Sequence, residues 1–285
     1  MDLAQLLNGL ALGALLMILS SGLALIYGLR GVMNFSHGAL YMLGAYLAYE
    51  VTSSGISFWL ALLLAPLGLA IVGAVLELGL FRQLQDRSHI EVGLITFGIA
   101  LALERVIVLI WGDDTYPVPA PAAIDGTTSV LGTAYPTYRL VIILTAAAMA
   151  AALVIWLRRS RTGLHIRAAS HDTETSSILG INTDRVSLVV VCLGAALAGL
   201  AGTLAAPYFS VQPSMGQAIL VTVLIVVVVG GVGSVGGAMA AGLLLGLITI
   251  MGQVWLPSAA VVVPYLLLIL VLLWRPTGLA GKRLA

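Results

Sequence analysis

The stretch Val226-Val-Val-Val-Gly-Gly-Val-Gly-Ser-Val-Gly-Gly237 lies in the middle of a long apolar segment. Its glycines at positions 231, 233 and 236 spell G-x-G-x-x-G after a β-branched run, which is the spacing of a dinucleotide site on a strand-turn-helix. Such a site needs an acidic residue about 20 positions further on to bind the ribose, and no Asp or Glu follows Asp184. The glycines therefore indicate a helical hairpin that turns where backbone packs on backbone.

The composition around this stretch is that of a membrane protein. Hydrophobic residues make up 60% of the chain and charged residues only 9%, whereas a soluble domain carries about 25% charged residues. A helix needs about 20 apolar residues to cross a bilayer. The apolar segments that approach or exceed this length are 6–29, 32–50, 56–81, 92–111, 138–157, 186–208, 217–255 and 261–274.

Basic residues orient the chain, because they prefer cytoplasmic loops. Placing the polar loop 158–185 in the cytoplasm puts every Lys and Arg there except Arg105 and Arg139. The N-terminus then lies outside, and the C-terminal tail with Lys282 and Arg283 is cytoplasmic.

Segment 217–255 must start and end outside in this arrangement, so we expect a re-entrant or hairpin pair with its glycines deep in the protein. The predicted fold is an all-α polytopic membrane protein. It has about eight membrane-embedded segments, including this glycine-broken pair, and forms a single domain over residues 1–285.

The loop 158–185 contains the signals of a short helix. Ser170 or Asp172 can cap its start, with Glu174 favoured near the positive end of the helix. Gly180 is placed to end it as the C′ residue, and Asn182 then caps the next span. Such a helix is either a solvated linker or a docking element for a cytoplasmic partner, and the rigid caps favour docking.

Charged side chains inside a bilayer are costly and are functional candidates for that reason. Glu77, Glu104 and Arg105 lie within the predicted spans. Glu104 or Arg105 could pair with Glu77 or Arg82 on the preceding helix as a structural ion pair, or could take part in conformational switching.

A polar cluster of Asn34, Ser36 and His37 opens the second span. It either caps a helix at a kink or lines a translocation path. Small residues spaced as G-x-x-x-G suit close helix packing. The pairs at positions 9 and 13 and at 242 and 246 have this spacing, and they would pack within the chain or against a partner.

Four separated motifs resemble those of the permease subunits of branched-chain amino acid ABC importers. They occur in the same order and cover nearly the whole chain. The motifs are Tyr27-Gly-Leu-Arg-Gly-Val-Met-Asn-Phe-Ser-His-Gly-Ala-Leu-Tyr-Met-Leu-Gly-Ala-Tyr46, Arg167-Ala-Ala-Ser-His-Asp172 with Leu179-Gly-Ile-Asn-Thr-Asp-Arg-Val186, Gly230-Gly-Val-Gly-Ser-Val-Gly-Gly-Ala238, and Leu273-Trp-Arg-Pro-Thr-Gly-Leu279.

The resemblance implies a bacterial-type inner-membrane permease that pairs with a second homologous permease. Two cytoplasmic ATPase subunits would dock on the loop helices, and a periplasmic or extracellular binding protein would deliver substrate. The loop 158–185 would then be the coupling loop. Its expected coupling residues are Ser170, Asp172, Glu174, Ser177, Leu179 and Gly180. The candidate residues for the translocation path are Asn34, Ser36, His37, Gly231, Gly233 and Gly236.

The sequence argues against an enzyme and against nucleic-acid binding. Lys282 is the only lysine, so no nucleotide-binding P-loop is present, and the net charge is +1. We expect no cofactor or metal on this chain, with ATP and Mg²⁺ held by the partner subunits. Related permeases for urea, short amides or small aromatic acids remain alternatives, as do an ion-coupled secondary transporter and a structural membrane anchor.

Overall fold

A computed structural model of the chain describes residues 2–84 and 87–281, so Lys282 and Arg283 of the predicted cytoplasmic tail lie outside the described residues. Helices dominate the described chain. They are α1 (Leu3–Arg30), α2 (His37–Ser53), α3 (Phe58–Gly79), α4 (His89–Trp111), α5 (Thr137–Arg159), α6 (Arg161–Ala169), α7 (Thr173–Ile178), α8 (Thr183–Phe209), α9 (Met215–Gly230), α10 (Val235–Trp255) and α11 (Val263–Trp274), with 3₁₀ turns at Phe81–Leu84 and Pro257–Ala259.

Six of the described helices are long and apolar enough to cross a membrane: α1, α3, α4, α5, α8 and α10. Helices α9 and α11 are apolar but shorter, with 16 and 12 residues, and α2 is also short, with 17 residues. The chain is thus a helical, multi-pass membrane protein, as its composition predicts.

The prediction of an all-α chain needs one correction. Strands β1 (Thr127–Val130) and β2 (Thr133–Pro136) form a small antiparallel hairpin in the loop after α4. Leu131 and Gly132 both have positive φ, which is the geometry of the tight turns that suit a hairpin. Leu-Gly is not one of the usual residue pairs in such turns, so the sequence did not indicate this hairpin.

Helices α1 and α10 pack along most of their lengths, and glycines form the contact between them. A Cβ on Gly9 or on Gly13 would lie 2.9 Å from a Cα atom of α10, and one on Gly246 would lie 2.7 Å from the carbonyl oxygen of Gly9. The same seam continues at Ser20, whose hydroxyl donates to the carbonyl of Ala238 at 3.2 Å. The G-x-x-x-G pairs therefore pack within the chain, as the first of the two alternatives predicts.

Helix α8 is the centre of the bundle, because it packs against α1, α2 and α3. Each of these contacts also depends on small residues. A Cβ on Gly22 would lie 2.8 Å from the Gly194 carbonyl oxygen, and one on Gly44 would lie 2.6 Å from the Gly199 Cα. Close backbone approach therefore packs α8 tightly against α1 and α2, and α1 in turn packs against α10.

The glycine turn joins α9 to α10, and the two helices pack against each other. A Cβ on Gly230 would meet the Gly237 carbonyl carbon at 2.5 Å, so the two helices approach backbone on backbone at the turn. Its depth differs from the prediction. Gly233 packs against Gly28, only two residues before the end of α1 at Arg30, so the turn lies at one end of the bundle and not deep within it.

Candidate translocation path and coupling surface

Helix α2 begins inside the protein. His37, its first residue, is completely buried, and its Nε2 lies 2.9 Å from the carbonyl oxygen of Leu19. Leu19 is roughly 16 Å back from Arg30 along α1, at about 1.5 Å per residue. The chain after Arg30 therefore turns back into the bundle over residues 31–36 before α2 starts.

Asn34 organises this start. Its Oδ1 accepts hydrogen bonds from the Ser36 backbone N–H at 3.0 Å and from the Ser36 hydroxyl at 2.6 Å, as in an Asx turn. Ser36 precedes α2 but makes no side-chain cap. The amide nitrogen of Asn34 and Nδ1 of His37 are buried without a hydrogen-bond partner in the described chain, so this cluster carries unused hydrogen-bonding capacity.

A cavity of about 350 Å³, which we call the inner cavity, lies beside this segment. Asn34, Thr96 and Ser187 give it polar groups, and Arg30, Arg87 and His89 make its lining basic. Among the described residues, none that lines the cavity is acidic. The full lining is Ile26, Leu29, Arg30, Val32, Met33, Asn34, Phe81, Leu84, Arg87, His89, Val92, Thr96, Thr173, Thr183 and Ser187.

Arg30 is fixed at the wall of this cavity by three groups. It forms an ion pair with Glu77, whose side chain is fully buried. Its other nitrogens donate to the Ser187 hydroxyl and to the Phe81 carbonyl, each at 3.0 Å. The guanidinium thus ties α1 to α3, to the 3₁₀ turn and to α8.

Glu77 and Glu104 take partners that differ from the predicted ones. Glu77 was expected against Glu104 or Arg105, but it pairs with Arg30. Glu104 instead accepts a hydrogen bond at 2.7 Å from the Gln217 amide of α9. Gln217 is far from Glu104 in the sequence, and no sequence pattern in α3 or α4 indicates this contact. Only the fold brings the two residues together.

A second space, the outer crevice, lies further along α4 and has a volume of only about 10 Å³. Helix α2 forms its floor, and α4 and α9 form its walls. Glu104 and Gln217 are its polar residues, and the rest of its lining is apolar. The lining is Phe35, Ala39, Met42, Phe97, Ala100, Glu104, Gly216, Gln217 and Leu220.

Phe35 lines the outer crevice and lies next to the inner cavity. Its backbone N–H donates to the Thr96 hydroxyl at 3.1 Å, and Thr96 lines the inner cavity. A Cβ on Gly93 would lie 3.2 Å from the Phe35 ring, so the ring is held against α4 where Gly93 leaves room for it. The Phe35 side chain therefore lines the outer crevice, while its backbone is bonded to a residue that lines the inner cavity.

Of the predicted path residues, Asn34 alone lines one of these two spaces. Asn34 lines the inner cavity, while His37 and Ser36 lie buried behind it. The three glycines line neither space. Gly231 packs against Gly281, where a Cβ would be 2.5 Å from the Gly281 nitrogen, and Gly236 is exposed with nothing within 4 Å. Their position is that of a turn packed on α1 and on the C-terminal segment.

The predicted short helix is α7, and its signals are present as expected. Asp172 is the N-cap and accepts from the Thr175 backbone N–H at 3.0 Å. Bonds from the Thr175 hydroxyl and backbone lower the pKa of Asp172, which keeps the carboxylate ionised. At the other end Ile181 donates to the Ser176 carbonyl at 3.0 Å, and Gly180 has φ +85°, a Schellman motif.

The structure adds helix α6, which the sequence did not reveal. Ser160 caps α6 by accepting from the Gly163 backbone N–H at 2.8 Å. Ile166 and Ala169 of α6 pack with apolar residues of α1 and α8, and Ile181 joins them. This anchors α7 to the ends of two core helices.

Helix α7 presents an apolar tip. The side chains of Ile178 and Leu179 are 79% and 76% exposed. Leu179 was expected on the coupling surface, whereas Ile178 was missed although it is the more exposed of the two. Ser170, Glu174 and Ser177 are also exposed, so α7 offers a polar helix with two adjacent apolar side chains at its end.

The family profile and the similar curated proteins point to the same family. A profile of the family described as "Branched-chain amino acid transport system / permease component" matches residues 5–272. The chain is 31% identical to the high-affinity branched-chain amino acid transport system permease protein LivH of Salmonella typhimurium, over 98% of this chain and 96% of LivH. It is 28% identical to the permease protein LivM of the same organism, over 92% of this chain and 67% of LivM.

A solved structure has a related fold. A chain of PsaBC from Streptococcus pneumoniae in complex with Fab superposes with a TM-score of 0.51, covering 93% of this chain and 90% of that chain. The sequence identity of 15% limits this likeness to the fold.

Proposed function

Because this chain belongs to the family of branched-chain amino acid transport system permease components, we propose that it carries branched-chain or related small amino acids as the permease subunit of an ATP-binding-cassette importer. The chain itself would perform no covalent chemistry. Movement of substrate would come from alternating outward and inward openings, driven by separate ATPase subunits.

The observation that carries the proposed path is the pair of spaces along α4. The outer crevice and the inner cavity both contact α4, and Phe35 lines the first and lies next to the second. The inner cavity, at about 350 Å³, has room for a small molecule with an aliphatic side chain and charged ends, and its lining combines apolar side chains with polar and basic groups. In this proposal Asn34 belongs to the path, and displacement of the Phe35 ring joins the two spaces.

The proposed orientation places α6 and α7 in the cytoplasm of a bacterial-type inner membrane. The N-terminus would lie outside and the C-terminus inside, so that the inner cavity opens near α7. The short helices α2, α9 and α11 would then add embedded segments to the six long helices, with the α9–α10 pair as a hairpin.

The proposed partners follow from the exposed surfaces and from the family. Ile178 and Leu179 at the tip of α7 would dock into an ATPase subunit, which would hold ATP and Mg²⁺. Two relatives of this chain, LivH and LivM of Salmonella typhimurium, are both named as permease proteins of a branched-chain amino acid transport system. A second permease would therefore complete the membrane part, and a binding protein outside would deliver substrate.

Uptake by the reconstituted complex tests this function. The full complex would be placed in proteoliposomes with ATP inside and with its binding protein and labelled leucine, isoleucine or valine outside. We expect uptake with ATP and none with ADP. Uptake of urea, short amides or aromatic acids in place of these amino acids would support the alternative substrates, and uptake by the purified chain alone without ATP would support an ion-coupled carrier.

A further inference from the structure

The helices of this chain differ in the kind of side chain that they expose. On α3 the outward side chains are all apolar, such as Leu63, Leu67 and Ile71, which are 63%, 62% and 67% exposed. The only charged residue of α3, Glu77, is fully buried. Such a face is suited to contact with lipid.

The face formed by α4 and α9 carries polar and charged groups at the same depth. Arg105 is exposed on α4, in line with the exposed Leu101 and Leu109. It lies six residues before the end of α4 at Trp111, or about 9 Å, so it falls inside the span. Beside it, Glu104 and the exposed Gln217 join α4 to α9.

In the described part of the chain, Arg105 has no acidic partner. Within residues 2–84 and 87–281 the ion pair formed is that of Arg30 with Glu77, and no carboxylate lies within ion-pairing distance of Arg105. A guanidinium that faces lipid is costly, so a membrane protein turns it toward protein or water. The charge must therefore be met from outside this chain.

We infer that the α4–α9 face, defined by Leu101, Glu104, Arg105, Gln217 and Ala218, is the contact surface for the second permease subunit. The inference rests on the proposed function, because that function supplies the second permease. Glu104 and Arg105 are adjacent and of opposite charge, so a related subunit that packs about a two-fold axis can set its acidic residue against Arg105 and its basic residue against Glu104. The same contact covers the outer crevice and closes it from lipid.

Photo-crosslinking in the assembled complex tests this surface. Leu101 and Ala218 would be replaced one at a time by p-benzoylphenylalanine, which leaves Glu104, Arg105 and Gln217 intact. Leu67 and Ile71 on the apolar face of α3 are the matched controls. After illumination of the complex in its native membrane, we expect a species with the mass of two permeases from positions 101 and 218, identified by mass spectrometry, and no protein adduct from positions 67 and 71.

Other results would overturn the inference. It is wrong if positions 101 and 218 react only with lipid, or if they capture an ATPase or the binding protein. It is also wrong if positions 67 and 71 yield the two-permease species in their place. Crosslinking needs only assembly of the complex, so a failure to take up branched-chain amino acids would contradict the proposed substrate and leave this result interpretable.

Substitution of Arg105 tests the same contact surface by a second method. In native mass spectrometry of the purified complex, we expect Arg105→Gln to lower the fraction of paired permeases at least fivefold. Arg105→Lys should retain most of the pairing, because it keeps the charge. Equal pairing in both variants and in the wild-type complex would show that the Arg105 charge does not hold the subunits together.

Discussion

Arg30 shows at the scale of one residue what the sequence could and could not reveal. Its charge, and its place after a long apolar run, predicted a position at the end of a span. Its partner Glu77 lies on α3 and comes from packing that no local pattern encodes. The sequence therefore identified Glu77 as an intramembrane charge but paired it with the wrong helix.

Removing one member of this ion pair should be strongly destabilising. Glu77→Gln leaves the Arg30 charge mostly buried without its counter-ion, and such a change costs about 3–5 kcal/mol. The double variant with Arg30→Gln should lose clearly less than the sum of the two single changes. Thermal unfolding in detergent, followed by tryptophan fluorescence, measures this, with Glu174→Gln on the exposed helix α7 as the control. Additive losses would show that the two side chains do not interact.

Two glycines of the turn should respond to alanine in opposite ways. Gly233 has φ +79° and packs on Gly28, so Gly233→Ala should destabilise the protein by about 1–2 kcal/mol. Gly236 has ordinary φ, lies within α10 and has open space around it. Gly236→Ala should therefore be neutral, or stabilising by at most about 1 kcal/mol. The same unfolding assay compares them, and equal effects would contradict this account of the turn.

At the scale of elements, helix boundaries were predicted best where capping residues set them. The start of α7 at Asp172, its end at Gly180 and the start of α8 at Asn182 all follow from local chemistry. Helix α6 was missed, because its polar sequence has no apolar run to mark it. The start of α2 was placed too early, since residues 32–36 are apolar enough to suggest a span but form an inward-turning segment.

The tip of α7 should matter for coupling and not for folding. Ile178 is 79% exposed, so Ile178→Ser removes little from the chain's own core. If the tip docks into an ATPase subunit, affinity for that subunit should fall about tenfold, equivalent to about 1.4 kcal/mol. Binding of purified ATPase subunits measures this, with Leu164→Ser on α6 as a matched control that is 56% exposed. Unchanged affinity for the Ile178 variant would remove the docking role from this tip.

At the scale of the whole molecule, composition alone predicted a helical membrane protein. The distribution of Lys and Arg predicted an orientation, which stays a prediction. What composition could not supply was which helices form the core. That depends on the glycines of α1, α8 and α10, and many other segments of this chain contain glycine without packing so closely.

Cysteine labelling tests the orientation directly. In a Cys192→Ser background, a membrane-impermeant maleimide added to intact spheroplasts should label Ser129→Cys in the β-hairpin loop. It should label Ser177→Cys on α7 only after the membrane is permeabilised. Both positions are exposed in the chain, so access to each side of the membrane decides the outcome. The reverse pattern would invert the predicted topology.

The glycine seam between α1 and α10 also has a mechanical consequence. Where backbones touch directly, no side chain is available to change rotamer and let one helix slide past the other. Together with α8, these helices should therefore move as one rigid body. Helix α4 packs far less extensively within the chain, so we expect it to be the hinged element. Any motion that carries the Phe35 ring off Gly93 would then be a tilt of α4 against a stationary block.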